Sequence, residues 1–595
     1  MRGWDKLDVI LFSGDAYVDH PSFGAAVIGR VLEAEGLRVA IVPQPNWRDD
    51  LRDFKKLGKP SLFFGVSAGA MDSMVNHYTA TKRLRSDDAY TPDSRNDMRP
   101  DYPTVVYTKI LKQLFPETPV VIGGIEASMR RLTHYDYWQD TLRPSILIES
   151  EADLLIYGMG EQPVCELAHR LSNGEAIESI TNLPQSVYRT QNTPEEQEND
   201  LYLYPHEECL KDKRKQALNF KTIEEESNKY LSTARIFQKI RKETVIINPP
   251  YPAMSDEAIN AVYDLPYTRL PHPKYRDKTI AAFEMIKFSV NTHRGCFGGC
   301  SFCTISAHQG KQIVSRSKKS ILKEVQSITK MPGFKGYISD LGGPAANMYQ
   351  MKGKDTEQCR LCKRASCLFP KICNNLNANH HPALEVYRAV DKLPEVKKSF
   401  IGSGIRYDML LHDYKDEALN QAAKTYANEV IQKHVSGRLK VAPEHTSPAV
   451  LKWMRKPPFE HFEAFNRLFG NIDRKHNLRQ QLIPYFISGH PGCSDIDMVE
   501  LALCMKELDF RLEQIQEFTP TPMTLSTEMF YTGLDPYTMK KVYSAKGREQ
   551  KMMQRAFFFW NDPEQRCTII DNLKRLRRPD LIERLYGKAR KEKEL

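Results

Sequence analysis

Eleven short apolar runs, several ending in glycine or serine, restrict this chain to a parallel α/β architecture. Five fall within residues 1–175: Val9–Phe12, Val39–Val42, Ser61–Gly65, Val120–Gly123 and Asp153–Gly158. Helical spacing over Ala25–Glu35, stopped by Gly36, joins the first two into a βαβ unit. This predicts an open, doubly wound sheet that receives ligands beyond its strand C-termini. Six more runs begin near Lys287: Lys287–Val290, Gly336–Ser339, Ser399–Gly402, Arg438–Val441, Gln481–Ile487 and Gln514–Phe518. Helical stretches over Lys318–Lys330, Glu417–Lys433, Pro448–Met454 and Asp495–Leu508 separate most of them. The expectation for 281–545 is a partial (β/α)6 TIM-like barrel with chemistry at the strand C-terminal ends. Residues 176–280 are polar, Glu-rich and punctuated by proline, and read as a linker with a helix over Thr222–Glu243.

The 595 residues, 41% apolar and 27% charged, suffice for several domains with real cores and exclude global disorder. No run reaches the ~18 apolar residues of a membrane span. Charges at Arg2, Asp5, Lys6 and Asp8 leave no apolar stretch for a signal peptide, so a cytoplasmic protein is expected. The net charge is +10, and residues 546–595, with 14 basic and 8 acidic side chains, carry +6 of it. That basic C-terminal tail reads first as a solvated helix and second as an RNA-attracting segment.

Twelve cysteines in a reducing compartment, where clustered, point to metal or redox chemistry. Directly after the first run of the second series stand Cys296, Cys300 and Cys303, in a loop that also holds Gly295, Gly298 and Gly299. A closed zinc site takes four ligands, whereas a cubane iron–sulfur cluster on three thiolates keeps one iron open. The glycines let the backbone wrap a bulky cluster. This loop resembles the signature of the radical SAM superfamily, with Phe302 at its aromatic position. The resemblance implies a [4Fe-4S] cluster on the three cysteines, binding of S-adenosylmethionine, and reductive cleavage to a 5′-deoxyadenosyl radical. It implies an electron donor as well. It further implies cofactor contacts at Gly342 and Gly343, although Pro344 stands where the family often has an acid. Arg406 and Glu444 resemble ribose- or carboxylate-contacting positions. Ser488–Gly492 resembles the turn beside the adenine, and Gln516–Pro522 the last strand of methylthiotransferase-like relatives.

A second set, Cys359, Cys362, Cys367 and Cys373, lies within an insertion at 350–382. Four thiols so close in a small insert suit either a structural zinc or a second iron–sulfur cluster. Cys165, Cys209, Cys493, Cys504 and Cys567 are scattered and read as small apolar residues or incidental thiols.

The N-terminal sheet resembles cobalamin-binding domains, most closely at Val120–Gly124 and Asp153–Glu161. Their ligand motif, Asp-x-His-x-x-Gly, is broken here: Asp19 and Gly24 keep the spacing, but Pro21 replaces the histidine and His20 comes one place early. The fold is expected without a histidine-ligated corrinoid. The order of parts is similar to that of the YgiQ family of radical SAM proteins, through Gly14–Gly24, Ser67–Met74, Gly123–Arg131 and His134–Trp138. That resemblance implies radical chemistry on an unspecified substrate, with RNA slightly favoured by the basic tail. Two other readings are a zinc-stabilised nucleic-acid-binding protein and a cobalamin-dependent radical SAM methyltransferase.

Overall fold

The computed structural model describes residues 3–192, 194–510 and 515–587. Its first sheet has nine strands: β1 (Val9–Ser13), β2 (Val39–Pro43), β3 (Phe63–Ser67), β4 (Val120–Gly123), β5 (Leu154–Ile156), β6 (Ser186–Thr190), β7 (Leu201–Tyr202), β8 (Ile236–Ile240) and β9 (Glu243–Ile247). Their order is β2-β1-β3-β4-β5-β6-β9-β8-β7, and the first five are parallel. Continuous apolar runs suit these strands because helices cover both faces. Ile10 and Phe12 join Phe64, Val66, Val120 and Ile122 in one core, while Val9 and Leu11 join Phe63, Val121 and Leu154 in the other. Each such side chain contributes roughly 1.5–3 kcal/mol of burial. A one-residue slip of β1 would turn all four of its core residues to the wrong face, so the register is firmly specified. Gly65 lies opposite Leu11, whose Cδ2 comes within 2.5 Å of where a Cβ would stand.

Residues 176–280 are more than a linker. They supply β6–β9, which extend the sheet by three antiparallel pairings and one parallel pairing. The helix expected over Thr222–Glu243 runs instead over Lys213–Ser227, and the stretch after it forms the β8–β9 hairpin. There Ile236, Gln238 and Ile240 alternate with Phe237 and Lys239, and Arg241 turns the chain at φ 56°.

The second unit pairs its main strands in parallel, with short antiparallel pairs at His293–Arg294 with Val314–Ser315 and at Lys352–Gly353 with Leu376–Asn377. Ser289–Asn291 pairs with Asp340–Gly342, Tyr337–Ile338 with Lys398–Ser399, and Arg438–Glu444 with Gln481–Ser488, which in turn pairs with Ile515–Glu517. Gln514, the expected start of the last strand, lies outside the described residues. Val290, Leu341, Val441, Phe486 and Phe518 share one core with the surrounding helices.

The C-terminal tail is a packed wall of this barrel, not a solvated helix. Helices Arg548–Ala556, Pro563–Arg575 and Pro579–Tyr586, with the short turn Phe557–Phe559 after the first, bury Phe557, Phe558, Ile569, Leu573, Leu581 and Leu585 in the barrel core. Residues 588–595 of the tail lie outside the described residues. Among the described residues no helix is long and apolar enough to cross a membrane.

Candidate functional site

The three-cysteine loop leaves the C-terminal end of strand Ser289–Asn291. Gly295 (φ 85°) and Gly299 (φ 60°) take left-handed conformations, and at both positions a neighbouring carbonyl occupies the space of a Cβ. Burial raises the thiol pKa of Cys296 and pushes that of Cys303 up to about 12, each further raised by the Cys300 thiol. Three mutually repelling thiols in a poorly solvated loop favour a bound cation that takes up their charge. Among the described residues no group of three or more His, Cys, Asp or Glu side chains stands close enough to hold a single ion. A cubane takes each thiolate on a different iron, so its cysteines stand further apart than the ligands of a single ion.

Arg406, Glu444, Gly342 and Gly343, picked out by motif alone, are gathered around this loop. The Arg406 guanidinium is committed on one edge to Asp408, with Nε to Oδ1 at 3.0 Å and Nη2 to Oδ2 at 2.6 Å. Its Nη1 points at the loop, 4.0 Å from Cys300 Sγ and 2.6 Å from the position of a Gly298 Cβ. It and Lys456 partly offset the rise that burial gives the Cys296 thiol pKa. Glu444 ends its strand at φ 71° and is buried. Burial raises its carboxyl pKa, which Lys456, with Nζ 3.8 Å from Oε1, and Arg406 partly offset. Its Oε2 is buried with no hydrogen-bond partner. An orphan acceptor of this kind, which costs about 1–3 kcal/mol, calls for a ligand donor.

Gly343 lies against the His293 imidazole, whose Cε1 is 2.5 Å from where a Cβ would stand, and Gly342 lies equally close to Ser403. The Thr292 N–H donates to the Gly342 carbonyl at 2.7 Å, joining the glycine turn to the segment that precedes the cysteines. Phe302 packs edge-on against His490 at 6.0 Å. His490 faces Ser526 Oγ at 2.7 Å, and Ser526 Oγ donates to Ser301 Oγ at 2.8 Å. The helix Lys213–Ser227 reaches this side of the loop. Its Glu224 accepts from Arg455 at 2.7 and 2.9 Å and from the Tyr537 hydroxyl at 2.5 Å. The motif reading missed Lys456 and Glu224. Each arrives from a different element, and neither carries a local signal.

A cavity of about 430 Å³ lies beyond the C-terminal ends of β1, β3, β4 and β5, where an open parallel sheet binds its ligands. Ser67, Gly124 and Gly160 line it from the sheet, and Asn291, His308 and Pro344 from the barrel. Glu161, paired with Arg294 at 2.5 Å, also lines it, and its Oε2 is buried and unpartnered. His20 is not among the lining residues. Its Nδ1 accepts the Ser22 N–H at 3.0 Å, and its Nε2 faces Arg269 Nη2 at 2.6 Å.

In the insertion, Lys352–Gly353 pairs with Leu376–Asn377 and closes the base. The Cys367 N–H donates to the Phe297 carbonyl at 3.0 Å, so the second cysteine set sits against the first.

Residues 1–289 match the family model described as Radical SAM N-terminal, and residues 513–589 match a domain of unknown function (DUF3362). A UPF0313 protein of Bacteroides thetaiotaomicron is 64% identical over 605 residues, covering 99% of this chain and 97% of that protein. The UPF0313 protein YgiQ of Escherichia coli K12 is 43% identical over 621 residues, covering 94% of this chain and 82% of that protein. Among solved structures, the radical S-adenosylmethionine methyltransferase TsrM from Kitasatospora setae, with cobalamin and a [4Fe-4S] cluster bound, superposes with TM-score 0.47 at 15% identity, covering 87% of this chain and 74% of that one. The cobalamin-dependent radical enzyme OxsB superposes with TM-score 0.48 at 11% identity, covering 93% of this chain and 56% of that one. Identity of this extent over nearly the whole chain, together with the matching N-terminal model, means that the protein belongs to the UPF0313 family and is a YgiQ-like member of the radical SAM superfamily.

Proposed function

We propose that this protein is a radical SAM enzyme whose Cys296, Cys300 and Cys303 hold a [4Fe-4S] cluster and whose substrate is a small molecule seated in the interdomain cavity. The observation that carries the reading is three half-buried cysteines on one glycine-lined loop, with Arg406 Nη1 4.0 Å from Cys300 Sγ and the orphan Glu444 oxygen beside them. When bound, such a cluster supplies the electron that cleaves S-adenosylmethionine to methionine and a 5′-deoxyadenosyl radical.

The protein's own part is to bind, orient and exclude water. Gly342 and Gly343 bring backbone close to the methionyl end of S-adenosylmethionine. Glu444 Oε2 accepts from one of its donors. Arg406 Nη1 balances thiolate charge while Asp408 fixes its plane. Phe302, braced by His490, walls the loop. The Glu224–Arg455–Tyr537 contacts hold a cover over the cysteines. The cavity supports a small substrate because it borders Asn291, His293 and Pro344, which flank the same strand ends. The tail's helices serve the barrel core, so its charge is no longer by itself a reason to expect RNA. The insert's four thiols are assigned to a second metal site.

A corrinoid-dependent methyl transfer is the second reading, favoured by the same cavity. His20, engaged at both ring nitrogens, does not serve it as a ligand.

Anaerobically prepared protein should contain iron and sulfide and, once reduced, release 5′-deoxyadenosine from S-adenosylmethionine. Cys300→Ala should abolish that release and remove about four irons per chain. Full cleavage by that variant would overturn the assignment. Corrinoid absorbance in the preparation would establish the second reading.

A further inference from the structure

We propose that the four-cysteine insert holds a [4Fe-4S] cluster and is the port at which an acidic one-electron carrier protein delivers reducing equivalents to the three-cysteine site. The inference rests on the assignment of a cluster to Cys296, Cys300 and Cys303.

The four thiols form one group. Lys354 N–H donates to the Asn375 carbonyl at 2.7 Å, which holds the two ends of the insert together. Cys359 packs against Gly353, leaving no room for a Cβ there, and accepts from Asn375 Nδ2 at 3.4 Å. The Cys373 N–H donates to the Cys367 carbonyl at 2.8 Å, and that of Cys362 to the Cys359 carbonyl at 3.1 Å. Tetrahedral zinc, with each sulfur ~2.3 Å from one ion, requires the thiols to converge on a point. A cubane instead takes each thiolate on a separate iron.

The insert is docked on the three-cysteine loop by contacts that fix their separation. Cys367 N–H reaches the carbonyl of Phe297, the residue after Cys296, at 3.0 Å. Ser366 Oγ donates to the Gly298 carbonyl at 2.7 Å. Gly299 adopts φ 60° with the Ala365 carbonyl oxygen 2.5 Å from where its Cβ would be. A structural zinc would need no such apposition. Two clusters exchanging electrons would, because transfer through protein falls off steeply with distance.

The outer face of the insert suits a protein partner. Leu361, between two of the cysteines, is 83% exposed. Residues 351–373 carry six basic and two acidic side chains, a net +4, and Lys352, Lys354, Lys363 and Lys371 are exposed. Such a patch steers an acidic carrier to the thiol site. A reduced carrier of the ferredoxin or flavodoxin class gives up one electron and leaves oxidised. The insert cluster accepts that electron, falling from 2+ to 1+, and passes it on to the triad cluster, returning to 2+.

The test uses the full chain prepared without oxygen. Wild type should contain about eight irons and eight sulfides, and Cys362→Ala/Cys373→Ala and Cys300→Ala about four each. Wild type with about four irons and one zinc, the zinc absent from the insert variant, overturns the proposal and leaves the triad assignment intact. Iron retained undiminished by Cys300→Ala defeats the triad assignment instead. Should the insert variant misfold, Lys352→Glu/Lys354→Glu/Lys363→Glu keeps the cysteines. With reduced flavodoxin as the probe, this variant should be reduced at least tenfold more slowly at low ionic strength, with the difference vanishing in high salt and dithionite reduction unchanged. An unaltered rate, or an unaltered rate with loss of binding to total RNA, overturns the docking role.

Discussion

Buried ionisable residues tie this fold to pH as well as to chemistry. Glu528, on the helix that carries Ser526 toward the cysteine loop, is 3% exposed. Its carboxyl group faces Gln216 Nε2, 3.2 Å from each oxygen. Burial pushes its pKa from 4.5 to about 8, with Gln216 opposing. The folded protein therefore keeps a proton that the unfolded chain has released, throughout the window between those values. Stability from this group is fully present below about pH 4.5 and is lost as pH rises toward 8, by up to ~1.4 kcal/mol per pH unit. Glu528→Gln keeps the shape of the neutral acid and cannot ionise. Denaturant midpoints measured from pH 5 to 8 should fall less steeply for this variant than for wild type. An identical slope in the two proteins would show that Glu528 is already ionised in the folded state.

Among the elements, the helix Lys213–Ser227 links the first sheet to the chemistry of the second unit. Glu224 is its contact with Arg455 and Tyr537, and the side chains of both Glu224 and Arg455 are largely buried. Glu224→Gln weakens a charge-assisted, two-toothed bond at the edge of the cysteine loop. Cluster content should stay at the wild-type level without oxygen, whereas visible absorbance should bleach several-fold faster in air. Equal bleaching rates would deprive this helix of its covering role. The same region marks where sequence is a poor guide. Charged residues of good helical propensity extend the expected helix through 243, but Ile236, Ile240, Val245 and Ile247 obtain burial only as strands beside β6. Conversely, the barrel helix Phe459–His476 is absent from the expected elements even though Phe459, Phe462, Phe465, Phe469 and Ile472 recur at helical spacing. The parallel strands were legible because burial on both faces demands unbroken apolar runs. Arg406 and Glu444 could be singled out because they follow strand ends of a known pattern. Lys456 and Glu224 could not be, since only tertiary packing gives them neighbours.

At the scale of the whole molecule, the C-terminal helices join the two units. Gln554 donates to the Cys493 carbonyl at 2.9 Å and accepts the Gly489 N–H at 3.0 Å, bracing the turn after strand Gln481–Ser488. Lys551 crosses to the first unit, where Nζ bonds the Tyr137 hydroxyl at 2.5 Å, and burial lowers its pKa to about 8. Leu573, fully buried, anchors the middle helix in the barrel core. If the tail were a solvated appendage, Leu573→Ala would be within ±0.5 kcal/mol of wild type, as most exposed substitutions are. As part of the core it should cost about 2–5 kcal/mol, because the cavity left behind adds to the lost transfer energy. Equilibrium unfolding followed separately by tryptophan fluorescence and by cluster absorbance distinguishes the cases. The variant should lower both midpoints together, since the wall it weakens also supports the turn beside the cysteine loop. A loss confined to fluorescence, with the cluster midpoint unmoved, would mean that the tail stabilises itself without supporting the site.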